Sequence, residues 1–144
     1  NLYKDRDYKI YDPSIRNYPG ILDFVSGYLG FSNKTIINKS SINSNTTVAW
    51  AAGSFLALKS YIYKEVGGFD IRYFMYCEDI DICMRINSYG YKLVYIPTIK
   101  AIHIARHNNR RFLSKHFYWH LRSALIYLSE KRKYVSKKNK YHHK

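Results

Sequence analysis

At 144 residues, 47% hydrophobic and 17% aromatic, the chain has enough apolar side chain for one domain with a real core, which excludes intrinsic disorder. Its net charge of +14 is uneven: from Arg106 onward Lys and Arg recur while Glu130 is the only acid. Such a basic block attracts an anionic polymer, an anionic membrane surface or phosphorylated substrates, or is simply a solvated face.

No apolar run approaches the roughly 20 residues that cross a bilayer. Cys77 and Cys83 fit neither a disulfide framework nor paired zinc knuckles, and read as reduced packing residues of a cytosolic protein. The chain opens on Asn1, and Asn1 to Tyr11 has neither the apolar run of a secretory signal nor a clear element start. The expectation is that an N-terminal portion is missing.

Asp12-Pro13 and Tyr18-Pro19-Gly20 punctuate the start, and Ile21 to Phe31 has the apolar content of a short helix. Ser32 to Thr47, rich in Asn, Ser, Thr and Lys, reads as a polar loop. Val48 to Gly53 leads into Ser54-Phe55-Leu56-Ala57-Leu58, an apolar run that suits a buried strand. Ser60 is placed to cap a short helix through Val66, ended by a positive φ at Gly67 or Gly68. Asp79 to Tyr89 reads as a second helix stopped by Gly90, with Ile80, Cys83, Ile86 and Asn87 on one side. Leu93 to Pro97 and Ile99 to Ile104 read as strands, with Pro97 at a turn or edge. From Asn109 a longer helical pattern runs through Phe112, Phe117, Leu121, Ala124, Leu125 and Leu128, and Lys131 to Lys144 reads as a basic, flexible tail. This order of elements suits the second half of a mixed α/β domain.

The chemistry concentrates where Gly67-Gly68-Phe69-Asp70 is followed by Tyr76-Cys77-Glu78-Asp79-Ile80-Asp81. Carboxylates in a first helical turn are stabilised by roughly 0.3–1 kcal/mol each, which accounts for one or two acids as helix structure. Three acids beside Tyr73-Phe74-Met75-Tyr76 exceed that need, because burial raises their pKa unless donors or a cation compensate. Glu78 and Asp79, as neighbours, point in different directions and divide the work. Asp81 and Arg85, four apart, pair along the helix. His103, at the end of an apolar run, is a candidate metal ligand only in combination with the acidic turn. Trp50 and Gly53 mark a tight approach that fits either a stacked sugar ring or core packing. Arg110 and Arg111, with Lys115 and Arg122, gather near the last helix, where diphosphate or lipid head groups are candidate partners. There is no GxxxxGK or GxGxxG loop, which argues against an NTPase or dinucleotide enzyme.

Taken together, Ala52-Gly53-Ser54-Phe55, Glu65-Val66-Gly67-Gly68-Phe69-Asp70, Tyr73 to Arg85, Gly90-Tyr91, Tyr95-Ile96-Pro97, Ile102-His103 and Trp119-His120-Leu121-Arg122-Ser123 resemble the C-terminal half of family 2 GT-A glycosyltransferases, especially bacterial rhamnosyltransferases that build O-antigen. The resemblance runs from about Arg16 to Tyr127. It implies an α/β fold that is the acceptor-side part of a GT-A nucleotide-diphospho-sugar transferase, over residues 1–130, with the N-terminal nucleotide-binding half and its Asp-x-Asp motif absent. It also implies that Asp79 is the catalytic base, that Glu78 positions the acceptor, that Trp50 and Gly53 border the donor sugar, and that Arg110 and Arg111 bind substrate. By the same resemblance, His103 helps hold a divalent cation, Mg2+ or Mn2+.

The implied partners are a nucleotide-sugar donor (dTDP-rhamnose), a polyprenyl-diphosphate-linked saccharide acceptor and an anionic membrane surface, at the cytoplasmic face of the membrane. The chain by itself is then expected to be inactive. The competing expectations are a non-enzymatic basic module on anionic membrane or nucleic acid, and an inactive remnant. Nucleic acid is the weaker partner, because the aromatics follow helical, core-like spacing rather than a stacking sheet face.

Overall fold

The computed structural model describes residues 1–104 and 114–141, with side chains to residue 134 in the last helix. Its elements in chain order are β1 (Leu2–Tyr3), β2 (Ile15–Arg16), α1 (Ile21–Tyr28), β3 (Thr46–Val48), β4 (Trp50–Ala51), a 3-10 turn (Gly53–Phe55), α2 (Ser60–Glu65), α3 (Glu78–Ser88), β5 (Leu93–Tyr95), β6 (Ala101–Ile102) and α4 (Lys115–Tyr141). The strands form three pairs: β1 with β6 in parallel, β2 with β4 and β3 with β5 antiparallel. The result is an α/β arrangement in which α3 lies against β4, β5 and α4.

The core is centred on α3, where Ile82 and Cys83 are fully buried together with Tyr127 of α4. Ile15, Val48, Trp50, Leu93 and Tyr95 close over it from the strands. Burial of side chains this size contributes roughly 1.5–3 kcal/mol each, so α3 is the best-anchored element of the fold. α1 packs on α4 through Phe24 and Tyr28, whose rings meet Tyr127, His120 and Phe117.

The short helices end alike. Gly90 N–H donates to the Asn87 carbonyl at 3.1 Å and Tyr91 N–H to Ile86 at 3.2 Å, the paired bonds of a Schellman closure, with Gly90 at φ 86°. Gly67, at φ 81°, closes α2 through the same bonds to Lys64 and from Gly68 to Tyr63.

The structure departs from the sequence expectations in several places. Ser54 to Leu58 is not a strand: Ala52 N–H is taken by the Ser14 carbonyl at 2.7 Å, the chain leaves the sheet into the 3-10 turn, and Phe55 is exposed. Ser60 does not cap α2; Lys59 is the N-cap, and no side chain bonds there. Two strands, β1 and β2, lie in a stretch where elements of two residues carry no periodicity to read. The helix anticipated from Asn109 runs from Lys115 and continues through the basic segment to Tyr141; residues 105–113 lie outside the description.

Candidate active site

The acidic turn is set by two consecutive non-glycine residues in the left-handed region, Tyr76 (φ 70°) and Cys77 (φ 64°). Each costs on the order of 1–3 kcal/mol and persists only where the surroundings over-determine it. Here α4 supplies that grip. Ser123 Oγ–H donates to the Met75 carbonyl at 2.8 Å, Arg122 to the Arg72 carbonyl at 2.7 Å, and the Tyr76 hydroxyl pairs with His116 Nδ1 at 3.1 Å. The Cys77 side chain is buried beneath. From this bend α3 starts at Glu78, with Glu78, Asp79 and Asp81 in its first turn.

The three acids have separate roles. Asp81 is 1% exposed, accepts a hydrogen bond from Arg85 Nε at 2.8 Å, with Arg85 Nη2 in ion-pair contact at 2.8 Å, and one from the Tyr73 hydroxyl at 3.3 Å, and belongs to the core, as its spacing from Arg85 predicts. Asp79 faces the other way. Its Oδ2 accepts the Gly53 N–H at 3.1 Å and its Oδ1 the Ile80 N–H at 2.8 Å. Burial pushes the Asp79 carboxyl above the ordinary aspartate range, while the Gly53 and Ile80 N–H groups and the Arg16 guanidinium pull it part of the way back. Burial also raises Glu78, with the Asp79 charge adding to it, and Glu78 Oε2 is enclosed without a hydrogen-bond donor among the described residues.

Arg16 carries no motif and is a member of this site that sequence reasoning missed. Its charge bears on Asp79 because β2 pairs with β4, setting Arg16 opposite Trp50, and its guanidinium carbon lies 5.6 Å from the Trp50 ring centre. Only long-range strand pairing makes that juxtaposition, so no local sequence signal announces it. Trp50 itself is 6% exposed and donates its indole N–H to the Asn17 carbonyl at 3.0 Å, the placement of a core residue. Gly53 is exposed and beside Asp79.

His103 lies just past β6, its N–H on the Tyr3 carbonyl at 2.8 Å. Its Nδ1 faces Asp12 Oδ2 at 3.4 Å, so its carboxylate partner is Asp12. Among the described residues no group of three His, Cys, Asp or Glu side chains converges to hold a metal ion, and His103 with Asp12 supplies only two ligands. These residues therefore do not make a cation site on their own. Arg110 and Arg111 lie outside the described residues. A cavity of about 350 Å³ between the 67–72 segment and α4 is lined by Arg72, Asp81, Arg85 and Glu130, and not by Asp79, Glu78 or His103.

No family model matches the chain, and no solved structure matches it. It is 47% identical to the rhamnosyltransferase WbbL of Escherichia coli K12 over 131 residues, which is 91% of this chain and 50% of WbbL. It is also 36% identical over 88 residues to the N-acetylglucosaminyl-diphospho-decaprenol L-rhamnosyltransferase of Mycobacterium tuberculosis H37Rv, covering 61% of this chain and 29% of that protein. The chain thus spans half the length of WbbL, and its α/β fold is consistent with part of a GT-A-like domain. Identity of this extent, over 91% of the chain, places it in the family 2 (GT-A) glycosyltransferases as a relative of WbbL.

Proposed function

We propose that this chain is the acceptor-side, catalytic-base half of an inverting rhamnosyltransferase. In this reading the complete enzyme transfers L-rhamnose from dTDP-rhamnose to a polyprenyl-diphosphate-linked saccharide at the cytoplasmic face of the membrane, in the assembly of O-antigen or a related surface polysaccharide. The observation that carries the reading is Asp79: a carboxylate raised by burial, oriented by two backbone N–H groups, and held at the mouth of α3 by a strained turn.

In the proposed step Asp79 takes the proton of the acceptor hydroxyl as that oxygen attacks the anomeric carbon. The bond from that carbon to the diphosphate oxygen breaks, the nucleoside diphosphate leaves with the electron pair, and configuration inverts. A positioned base contributes typically 10²–10⁴-fold. Glu78 Oε2, which has no donor among the described residues, supports a second role, accepting a hydrogen bond from the acceptor sugar. Gly53 places its backbone next to the base, consistent with a border of the donor sugar. A divalent cation on the departing diphosphate is the expectation from family resemblance, and His103 and Asp12 would need ligands from elsewhere to hold it.

The test is a chimera in which this chain replaces its matching segment in WbbL, assayed for rhamnose transfer from dTDP-rhamnose to a polyprenyl-diphosphate N-acetylglucosamine acceptor. Transfer by the chimera and its loss in Asp79→Asn, with donor binding retained, is the expected result. Full turnover by Asp79→Asn, or no transfer by the chimera, defeats the reading.

A further inference from the structure

The outer row of α4 has no packing partner among the described residues. Tyr118 is 64% and Leu125 61% exposed, Leu121 lies between them, and Phe74 of the neighbouring segment is 67% exposed. These positions follow three- and four-residue steps, so they form one stripe along the helix. Phe74 extends the stripe sideways by packing on Trp119, ring centres 4.9 Å apart. Between Arg72 and the stripe lies a shallow cavity of about 460 Å³, lined also by Arg122 and Ile126.

Charge decides what covers this surface. Lys115, Arg122, Arg132 and Lys133 rim the stripe and are exposed. Glu130, the one acid of α4, is already bound by Arg72 at 2.9 Å and Lys133 at 3.0 Å. Residues 131–144 add seven Lys and Arg and no Asp or Glu. Protein interfaces are depleted in lysine, whereas a helix with Leu and aromatic residues on one strip and Lys or Arg beside it is the composition that settles at a lipid headgroup boundary. Aromatic side chains with one polar end, here Tyr118 and Trp119, favour that same boundary.

We propose that the exposed stripe Tyr118–Leu121–Leu125 of α4, with Phe74, inserts into the headgroup region of an anionic bilayer while the flanking basic residues pair with lipid phosphates. This deepens the membrane placement proposed above and rests on it, adding the face that makes the contact. Lipid phosphates give a long-range, salt-sensitive attraction, and the apolar stripe gives a short-range, salt-resistant one. The acidic turn is gripped by the inner side of the same helix, so docking would leave Asp79 close to the surface where a lipid-linked acceptor presents its sugar.

The test is flotation of the full 144-residue chain with vesicles of phosphatidylglycerol and phosphatidylethanolamine, against vesicles of phosphatidylcholine alone. Binding is expected to the anionic vesicles only, with a blue shift of tryptophan emission from Trp119, since Trp50 is already buried. Tyr118→Glu with Leu125→Glu is expected to weaken binding about tenfold or more. Phe74→Ser with Leu125→Ser, which adds no charge, is expected to remove the salt-resistant part. All these positions are exposed, and circular dichroism checks that the fold is kept.

The proposal is overturned if the wild-type chain does not float, if it floats equally with neutral vesicles, or if both variants bind like wild type. It is also overturned if light scattering shows a dimer without lipid that the same substitutions abolish, because the stripe then covers a second copy. Transfer by the WbbL chimera to a detergent-dispersed acceptor needs no bilayer, so failure here and failure of the transferase reading are told apart.

Discussion

Asp79 Oδ2 and the Gly53 backbone N–H are joined at 3.1 Å, linking the first turn of α3 to the 3-10 turn that follows β4. A backbone donor cannot swing away, so it fixes the carboxylate more firmly than a side-chain donor would.

Gly53→Pro removes that N–H while keeping the chain path. Gly53 is the first residue of the 3-10 turn, and Ala52 before it is extended (φ −62°, ψ 139°), as a following proline requires. In the chimera kcat is expected to fall about 10–100-fold, the worth of a hydrogen bond to a charged group at about 1.5–3 kcal/mol. The acid limb of the rate profile should move to higher pH, because a donor that holds Asp79 down is lost. Gly53→Ala keeps the donor, and its Cβ would meet the Asp79 Cβ at 3.5 Å, ordinary contact. An alanine variant as slow as the proline one would show that space, not the N–H, is what matters.

Asp79→Asn is expected to stabilise the chain that it inactivates. Burial raises the Asp79 carboxyl above the ordinary value of 3.8, so the folded state holds this proton more tightly than the unfolded state. The resulting stability is full below that value and is lost as pH rises through the folded pKa. At neutral pH Asn avoids the loss, and Tm should rise by a few °C, since about 1 kcal/mol moves Tm by roughly 2–8 °C at such chain lengths. Below the ordinary aspartate value the two melting curves should converge; an Asn variant that melts lower at neutral pH contradicts the burial argument.

Asp81→Ala is expected to cost about 3–5 kcal/mol in urea unfolding, because it strands the Arg85 guanidinium in the core. Arg85 is also tied to the Val66 carbonyl, so the pair pins the end of α2 to α3. Replacing both partners with Leu and Met should recover much of that loss. A single-site cost under about 1 kcal/mol would mean that water reaches the pair.

Neither cysteine should react with a thiol reagent in the native chain. Burial pushes the Cys83 thiol up to about 12 and the Cys77 thiol higher still. Both should label completely in denaturant. Rapid native labelling of Cys77 would mean that the left-handed turn opens.

The helices were readable because each carries its own punctuation: Gly67-Gly68 after α2, the acidic turn and Gly90 at the two ends of α3, and apolar repeats along α4. The pairing of Asp81 with Arg85 followed from spacing alone. The short strands were not readable, since β1, β2 and β4 are two residues long and depend on distant partners. That is why Ser54 to Leu58 looked like a strand when its apolar content serves a turn instead. The site divides in the same way. The local cluster Glu78-Asp79 was visible, whereas the Arg16 charge acting on Asp79, Asp12 beside His103, and the left-handed backbone of Tyr76 and Cys77 come from tertiary contacts and have no local signature.

The parallel pairing of β1 with β6 has a kinetic consequence. Leu2 and Tyr3 meet Ala101 and Ile102 from far along the chain, as in the bond from the His103 N–H to the Tyr3 carbonyl. Closing so long a loop costs chain entropy before any bond is gained, so this ladder has to wait for the α3 core to bring its two strands together. The corner that holds Leu2, Tyr3 and His103 should be the last to assemble and the first to exchange its amide hydrogens, while the turn that bears Asp79 stays closed.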